Sequence, residues 1–143
     1  MDAEIKIILQ LFLTVLLCGL IGFEREIKKR GAGLQTYSLV GLGSALFAIL
    51  TFGMLGQFVS DSIDPTRLIQ AVATGIGFIG AGVVFRGEKH IEGLTTAAGL
   101  WVVSAIGIAV AMELYIEAVA STMLTLFVLI VFGFLERKVL DKG

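Results

Sequence analysis

The sequence predicts an all-α membrane protein, a compact bundle of about five transmembrane helices with little mass outside the bilayer. Three observations predict it. Of 143 residues, 57% are hydrophobic and only 16% are charged, against about a quarter charged in a soluble domain. The mean hydropathy is +0.96, and so short a chain cannot bury that much apolar surface in one water-soluble core. The charges gather in clusters between apolar runs of about twenty residues, enough to cross a hydrocarbon core of about 30 Å. These runs are continuous, whereas barrel strands alternate apolar and polar residues. A single membrane domain, 1–143, fits the length and leaves no room for a separate soluble domain.

The first helix is placed at 5–23, with Lys6 at its edge and Gln10 and Thr14 inside. The segment before it is more acidic than basic and no small-residue cleavage site ends the run, so it reads as a retained helix rather than a signal peptide. The second helix, 34–59, carries Thr36, Ser38, Ser44 and Thr51 but no charge. Asp64 before the single proline, Pro65, reads as an N-cap with Pro at the first helical position. It introduces the third helix, 68–85, which is crowded with glycine and alanine. The fourth is 94–112, containing Trp101, and the fifth is 118–135.

The basic residues orient these spans. Arg25, Lys28, Lys29 and Arg30 follow helix 1, Arg86 and Lys89 follow helix 3, and Arg137, Lys138 and Lys142 follow helix 5. The other side has only Lys6 and Arg67, so the split is nine against two. The positive-inside rule then places the N-terminus outside and the C-terminus in the cytoplasm.

Helices in lipid associate where small residues let backbones approach. Helix 1 offers Thr14, Cys18 and Gly22, helix 2 Ser38, Gly41, Ala45 and Ala48, and helix 4 Ala98, Val102, Ala105 and Ala109. In helix 3 the small residues, Gly75, Gly77, Gly80 and Gly82 among them, fall all round the circumference. Helix 3 is therefore expected at the centre of the bundle, and helix 5, rich in Leu and Phe, at its lipid-facing edge. Close packing is the favoured reason for these glycines. The alternative is a weakened helix that exposes backbone groups to a substrate.

Several functions are excluded. Gly75, Gly77 and Gly80 fit a dinucleotide fingerprint, but that motif works only between a strand and a helix in a βαβ unit, so no nucleotide is expected. No basic stripe suggests nucleic acid. One cysteine and one histidine, Cys18 and His90, make neither a disulfide framework nor a zinc site, and Cys18 reads as a packing residue. No nucleophile–base pair is visible, so no enzyme is expected, and no cofactor.

The edge charges remain. Glu24 and Arg25 are either paired and functional or snorkel to the headgroups. Arg25 and Arg86 read as charged loop anchors. Asp61, Asp64, Glu113 and Glu117 lie on the other side. Carboxylates suit a hard cation such as Mg²⁺, although capping by Asp64 and plain solvation explain them more readily.

The motifs Gly19-Leu-Ile-Gly22-Phe-Glu24-Arg25-Glu26 and Ala32-Gly33-Leu34-Gln35-Thr36-Tyr37-Ser38-Leu39-Val40-Gly41-Leu42-Gly43-Ser44 resemble the MgtC/SapB family. So do Gly75-Ile-Gly77-Phe78-Ile79-Gly80-Ala81-Gly82 and Gly93-Leu94-Thr95-Thr96-Ala97-Ala98-Gly99-Leu100-Trp101. The chain departs from the family at Gln35-Thr36-Tyr37, where Arg-Thr-His is usual, and at Ala111-Met112-Glu113, where helix 4 usually ends Gly-rich. It looks like the bare membrane module, without the soluble C-terminal domain of many members. The resemblance implies a bacterial inner-membrane protein of Mg²⁺ transport or homeostasis. Mg²⁺ would be the transported or sensed ion, Glu24 and Asp64 its contacts, and Gly75, Gly77 and Gly80 the shapers of its path, with Gly41 and Gly82 in packing. The alternative is a regulator that binds another membrane complex, such as the ATP synthase, without moving ions. A homodimer is a further expectation, from small-residue stripes left over in a five-helix module.

Overall fold

The computed structural model describes residues 3–57, 64, 66–86 and 91–140. Among them are five helical spans long and apolar enough to cross a membrane. They are α1 (Ala3–Ile27), α2 (Leu34–Gln57), α3 (Thr66–Val83), α4 (Leu94–Ala111) and a fifth span of three consecutive pieces. Those pieces are α5 (Tyr115–Phe127), a π-helical turn (Val128–Phe132) and α6 (Gly133–Leu140). The chain is thus a multi-pass membrane protein, and its surroundings are lipid. The expected end of helix 2 at 58–59, and Asp61, Pro65 and His90, lie outside the described residues.

The spans alternate in direction. Lys6 meets Glu113 at one end of the bundle, while Arg25 meets Thr96 at the other. The second is the basic end, since it also carries Lys28, Lys29 and Arg30. Gly80 lies against Ala97 near that end, so Asp64, ahead of the first turn of α3, sits at the opposite one.

α1 runs a full turn beyond residue 23. The charges at Glu24 and Arg25 do not break it, because Lys28 reaches back one turn to pair with Glu24. Capping stops it instead. Lys29 adopts the left-handed conformation (φ 52°), and the N–H groups of Lys29 and Arg30 donate to Glu26 O and Arg25 O at 3.0 Å each, a Schellman closure. The same closure ends α4, with Glu113 left-handed (φ 64°) and N–H donation from Glu113 and Leu114 to Val110 O and Ala109 O.

The third helix stops at Val83 rather than 85, since Phe85–Arg86 (β1) pairs antiparallel with Ile91–Glu92 (β2). Gly93 then turns the chain into α4 at φ 88°. A side chain there would be strained by the backbone and would collide with the Val83 carbonyl.

The centre of the bundle is α4, not α3. α4 packs against α1, α2, α3 and the fifth span, and Leu100, Val103, Ile106 and Val110 are sealed within it. α3 buries only Ile76 and Gly80 and leans on α4 alone to any extent. The reason is visible atom by atom. A Cβ at Gly75, Gly77 or Gly82 would meet nothing within 4 Å, whereas one at Gly107 of α4 would strike the Gly41 carbonyl of α2. The glycines that let helices approach closely are on α1, α2 and α4, not on the outer face of α3.

The stripes on α1 and α2 lie where the sequence places them. Thr14, Cys18 and Gly22 are buried, as are Gly41, Ala45 and Ala48, and the Cys18 thiol sits against Gly41 while donating to Val103 O at 3.6 Å. The stripe on α4 is rotated by one residue. Ala98 and Ala105 are exposed, and Gly99, Val103 and Gly107 make the contact. The fifth span is peripheral, with Leu124, Phe127 and Ile130 facing outward.

Close backbone approach, not glycine content, therefore controls stability. Gly107→Ala is expected to lower unfolding stability in detergent by about 1–3 kcal/mol, the usual cost of overpacking, while Gly77→Ala leaves it unchanged or raised. Thermal unfolding of both variants, followed by retention of the monodisperse species, checks the contrast; equal losses would refute it.

Candidate functional site

The candidate site grows from the last turn of α1. Glu24 and Arg25 are both buried, Arg25 at 4% exposure. A charge in that position needs partners. Glu24 has two cations: Lys28 Nζ at 2.5 Å and Arg25 Nη1 at 3.5 Å. Neither Glu24 oxygen has a hydrogen bond of good geometry, so charge alone holds it. Arg25 Nη2 donates to Thr96 Oγ1 at 3.3 Å. Tyr37 of α2, fully buried, lies against Gly99 and donates from its hydroxyl to Thr96 O at 3.1 Å. The first turn of α4 is thus tied to both α1 and α2.

The fifth span closes the group. Its π-helical turn shifts the hydrogen-bond register, and Lys28 Nζ donates to Leu129 O at 3.0 Å. Lys28 consequently bridges Glu24 and the π turn. Glu26 is also engaged, accepting the Leu34 N–H at 3.0 Å at the start of α2.

Beside this group a cavity of about 910 Å³ opens at the basic end, between the end of α1, the β1–β2 hairpin, the start of α4 and the π turn. Among the described residues five basic ones line it (Arg25, Lys28, Lys29, Arg30, Arg137) against two acidic ones (Glu92, Glu136). In such a lining an anion is attracted and a divalent cation repelled.

The residues singled out from sequence are scattered. Glu24 lies at the basic end but is neutralised by Arg25 and Lys28. Arg25 is no loop anchor: it is a buried helical residue, because the helix continues through it. For Arg86 the backbone alone is described, in β1. Asp64 stands at the far end, and its Oδ1 accepts the Thr66 N–H at 2.9 Å and the Thr66 hydroxyl at 2.7 Å, a capping pattern. Glu24 and Asp64 therefore do not share a site. Gly41 is a packing residue between α1, α2 and α4, Gly80 touches Ala97, and Gly75, Gly77 and Gly82 face outward. Among the described residues no three His, Cys, Asp or Glu side chains are grouped to hold a metal ion. Lys28 counted in the sequence only toward orientation and Thr96 only as part of a motif; their roles here, and that of the π turn, gave no signal, since each depends on a partner about 70 or 100 positions away.

The profile of the MgtC family matches residues 11–138. "Putative magnesium transporter YhiD" of Escherichia coli strain K12 is 41% identical over 141 residues, 96% of this chain and 66% of that protein. "Protein MgtC" of Brucella abortus is 41% identical over 107 residues, 75% of this chain and 43% of that protein. "Protein MgtC" of Salmonella typhimurium strain 14028s is 38% identical over 119 residues, 83% of this chain and 49% of that protein. The chain spans less than two thirds of the length of these relatives. No solved structure matches it significantly.

Two outcomes follow from the charges. Glu24→Gln keeps the shape but leaves Arg25 and Lys28 without a counter-charge. Breaking a buried pair costs about 3–5 kcal/mol, and Lys28, 26% exposed, should hold the loss to the low end of that range; a thermal midpoint no lower than that of Glu117→Gln would contradict it. At the other end, the hydroxyl and backbone N–H of Thr66 hold the Asp64 carboxyl below its ordinary 3.8. A depressed acid stabilises fully above its unfolded value and loses that contribution as pH falls through its folded one. The stability difference between wild type and Asp64→Ala should therefore be full at neutral pH and shrink below about pH 4; an acid melting series checks this.

Proposed function

Because the chain belongs to the MgtC family, we propose that it is a bacterial inner-membrane protein of Mg²⁺ homeostasis that acts by docking onto another membrane protein rather than by carrying Mg²⁺. The observation that carries this reading is the outer face of α3. Thr74, Gly77 and Ala81 run at i, i+3 and i+7 beside Gly75 and Gly82, all exposed, and Phe78 projects among them at 83% exposure. Glycine costs a helix roughly 1 kcal/mol per residue against alanine, and among the described residues nothing packs on Gly75, Gly77 or Gly82. In lipid, a small-residue face is where another helix approaches closely. A flat face around one aromatic knob suits such a partner, whether the ATP synthase suggested by the family resemblance, another complex or a second copy of this chain.

The charges support the same reading. Glu24 is neutralised by two cations, Asp64 is engaged as a cap, and the cavity at the basic end is cationic. None of these favours Mg²⁺. The link to Mg²⁺ comes from the relatives' names, and transport remains the competing reading because the E. coli relative is named for it. With the nine-against-two distribution of Lys and Arg, the basic end and its cavity face the cytoplasm. The role is non-catalytic.

Purified protein oriented in liposomes should pass no Mg²⁺ above empty vesicles; flux from correctly inserted protein would sink this reading in favour of transport. In cells, a photo-crosslinker at Phe78 should capture a membrane protein, and Gly77→Leu should abolish the capture without changing the protein's own stability. Capture that survives Gly77→Leu would count against docking through α3. A self-adduct would identify a second copy as the occupant. A C-terminal reporter should be active only when cytoplasmic.

A further inference from the structure

We propose that the basic cavity is a binding site for an anionic phospholipid. Its phosphate would be held by Arg25 and the first turn of α4, and its acyl chains would lie against the cavity's apolar rim. This proposal does not depend on what docks to α3.

Four observations on this one cavity converge. Arg25 lines it, is 4% exposed, and has an Nε with no hydrogen-bond partner. Its remaining contacts are long, 3.5 Å to Glu24 and 3.3 Å to Thr96. That Nε is itself enclosed, but a guanidinium with an unused donor in the cavity wall sets a fixed positive charge beside the cavity, and its fork is built to grip phosphate oxygens. The 18-residue α4 begins on the cavity wall at Gly93, Leu94 and Thr95, and no side chain caps it. The first N–H groups of a helix lack intrahelical acceptors and favour an anion.

Among the described residues the lining has an excess of positive charge, five basic against two acidic. Lys28 is already engaged with Glu24 and Leu129. Lys29, Arg30 and Arg137 are exposed and form no ion pair among the described residues. Finally, the rim is apolar. Phe85, Ile91, Leu94 and Phe132 line the cavity with more than half of their surface exposed. A soluble phosphate has no use for such a rim, whereas a phospholipid's acyl chains do. Basic pockets between transmembrane helices are where anionic headgroups settle.

The test is native mass spectrometry of the full chain released from micelles containing equal amounts of phosphatidylglycerol and phosphatidylcholine with identical chains. Phosphatidylglycerol should be retained about tenfold over phosphatidylcholine, the scale set by one or two basic contacts. Arg25→Gln should remove the preference. Should that variant not fold, the exposed pair Lys29→Gln with Arg30→Gln decides, and it should reduce the preference severalfold. Lys138→Gln, a basic residue outside the lining, should leave the preference intact. Equal retention of the two lipids would overturn the proposal. So would a loss in Lys138→Gln as large as in the rim pair, which would mean diffuse surface attraction. Displacement of phosphatidylglycerol by millimolar inorganic phosphate would overturn the lipid assignment in favour of a soluble phosphate.

Discussion

The backbone of α4 lies directly on the backbone of α2, and most of the bundle depends on that approach. Gly107 leaves just enough room for the Gly41 carbonyl, and Gly99 accepts the ring of Tyr37. Between these two contacts the Ser44 and Ser104 hydroxyls meet at 3.0 Å. In a medium where burying leucine gains little, such contacts decide which helices associate. Once α4 is seated on α2, its other faces receive α1, α3 and the fifth span. Gln10 of α1 then secures the far end by donating to Val110 O and Ala111 O.

The same seating creates the charged group at the basic end. Tyr37 and Thr96 are brought together, and Thr96 is then in place to accept from Arg25. Glu24 has its counter-charges there in Arg25 and Lys28. The π turn supplies the Leu129 carbonyl that completes the surroundings of Lys28. What remains is a cavity whose wall has more cations than it uses internally. Its electrostatics follow from the end of α1, where Glu24 and Arg25 are buried beside the exposed Lys29 and Arg30.

α3 obeys a different logic. Every other span uses some of its small residues to approach a neighbour, but α3 presents most of its own outward. Membership of the MgtC family and a role through intramembrane docking fit together here: the helix least involved in the fold has the surface best suited to another helix. The cavity and the α3 face are separate features, one electrostatic and one steric, so a lipid and a protein partner need not compete.

The number of spans, the unequal distribution of charge between their ends, the packing stripes of α1 and α2, and the family are legible in the residues alone. Hydropathy and charge carry that information because a bilayer separates apolar from charged residues along the chain. Which helix is central, which face of α4 packs, and what Glu24 does were decided only by the tertiary structure. The physical reason is that apolar residues suit lipid and helix interior equally, so the apolar pattern of α4 has no unique inside. Glycine has a similar ambiguity, since it permits a close neighbour without specifying one. Gly107 found that neighbour in Gly41, while Gly77 has none among the described residues. The partners of Arg25 and Lys28 lie on helices that only folding brings beside them.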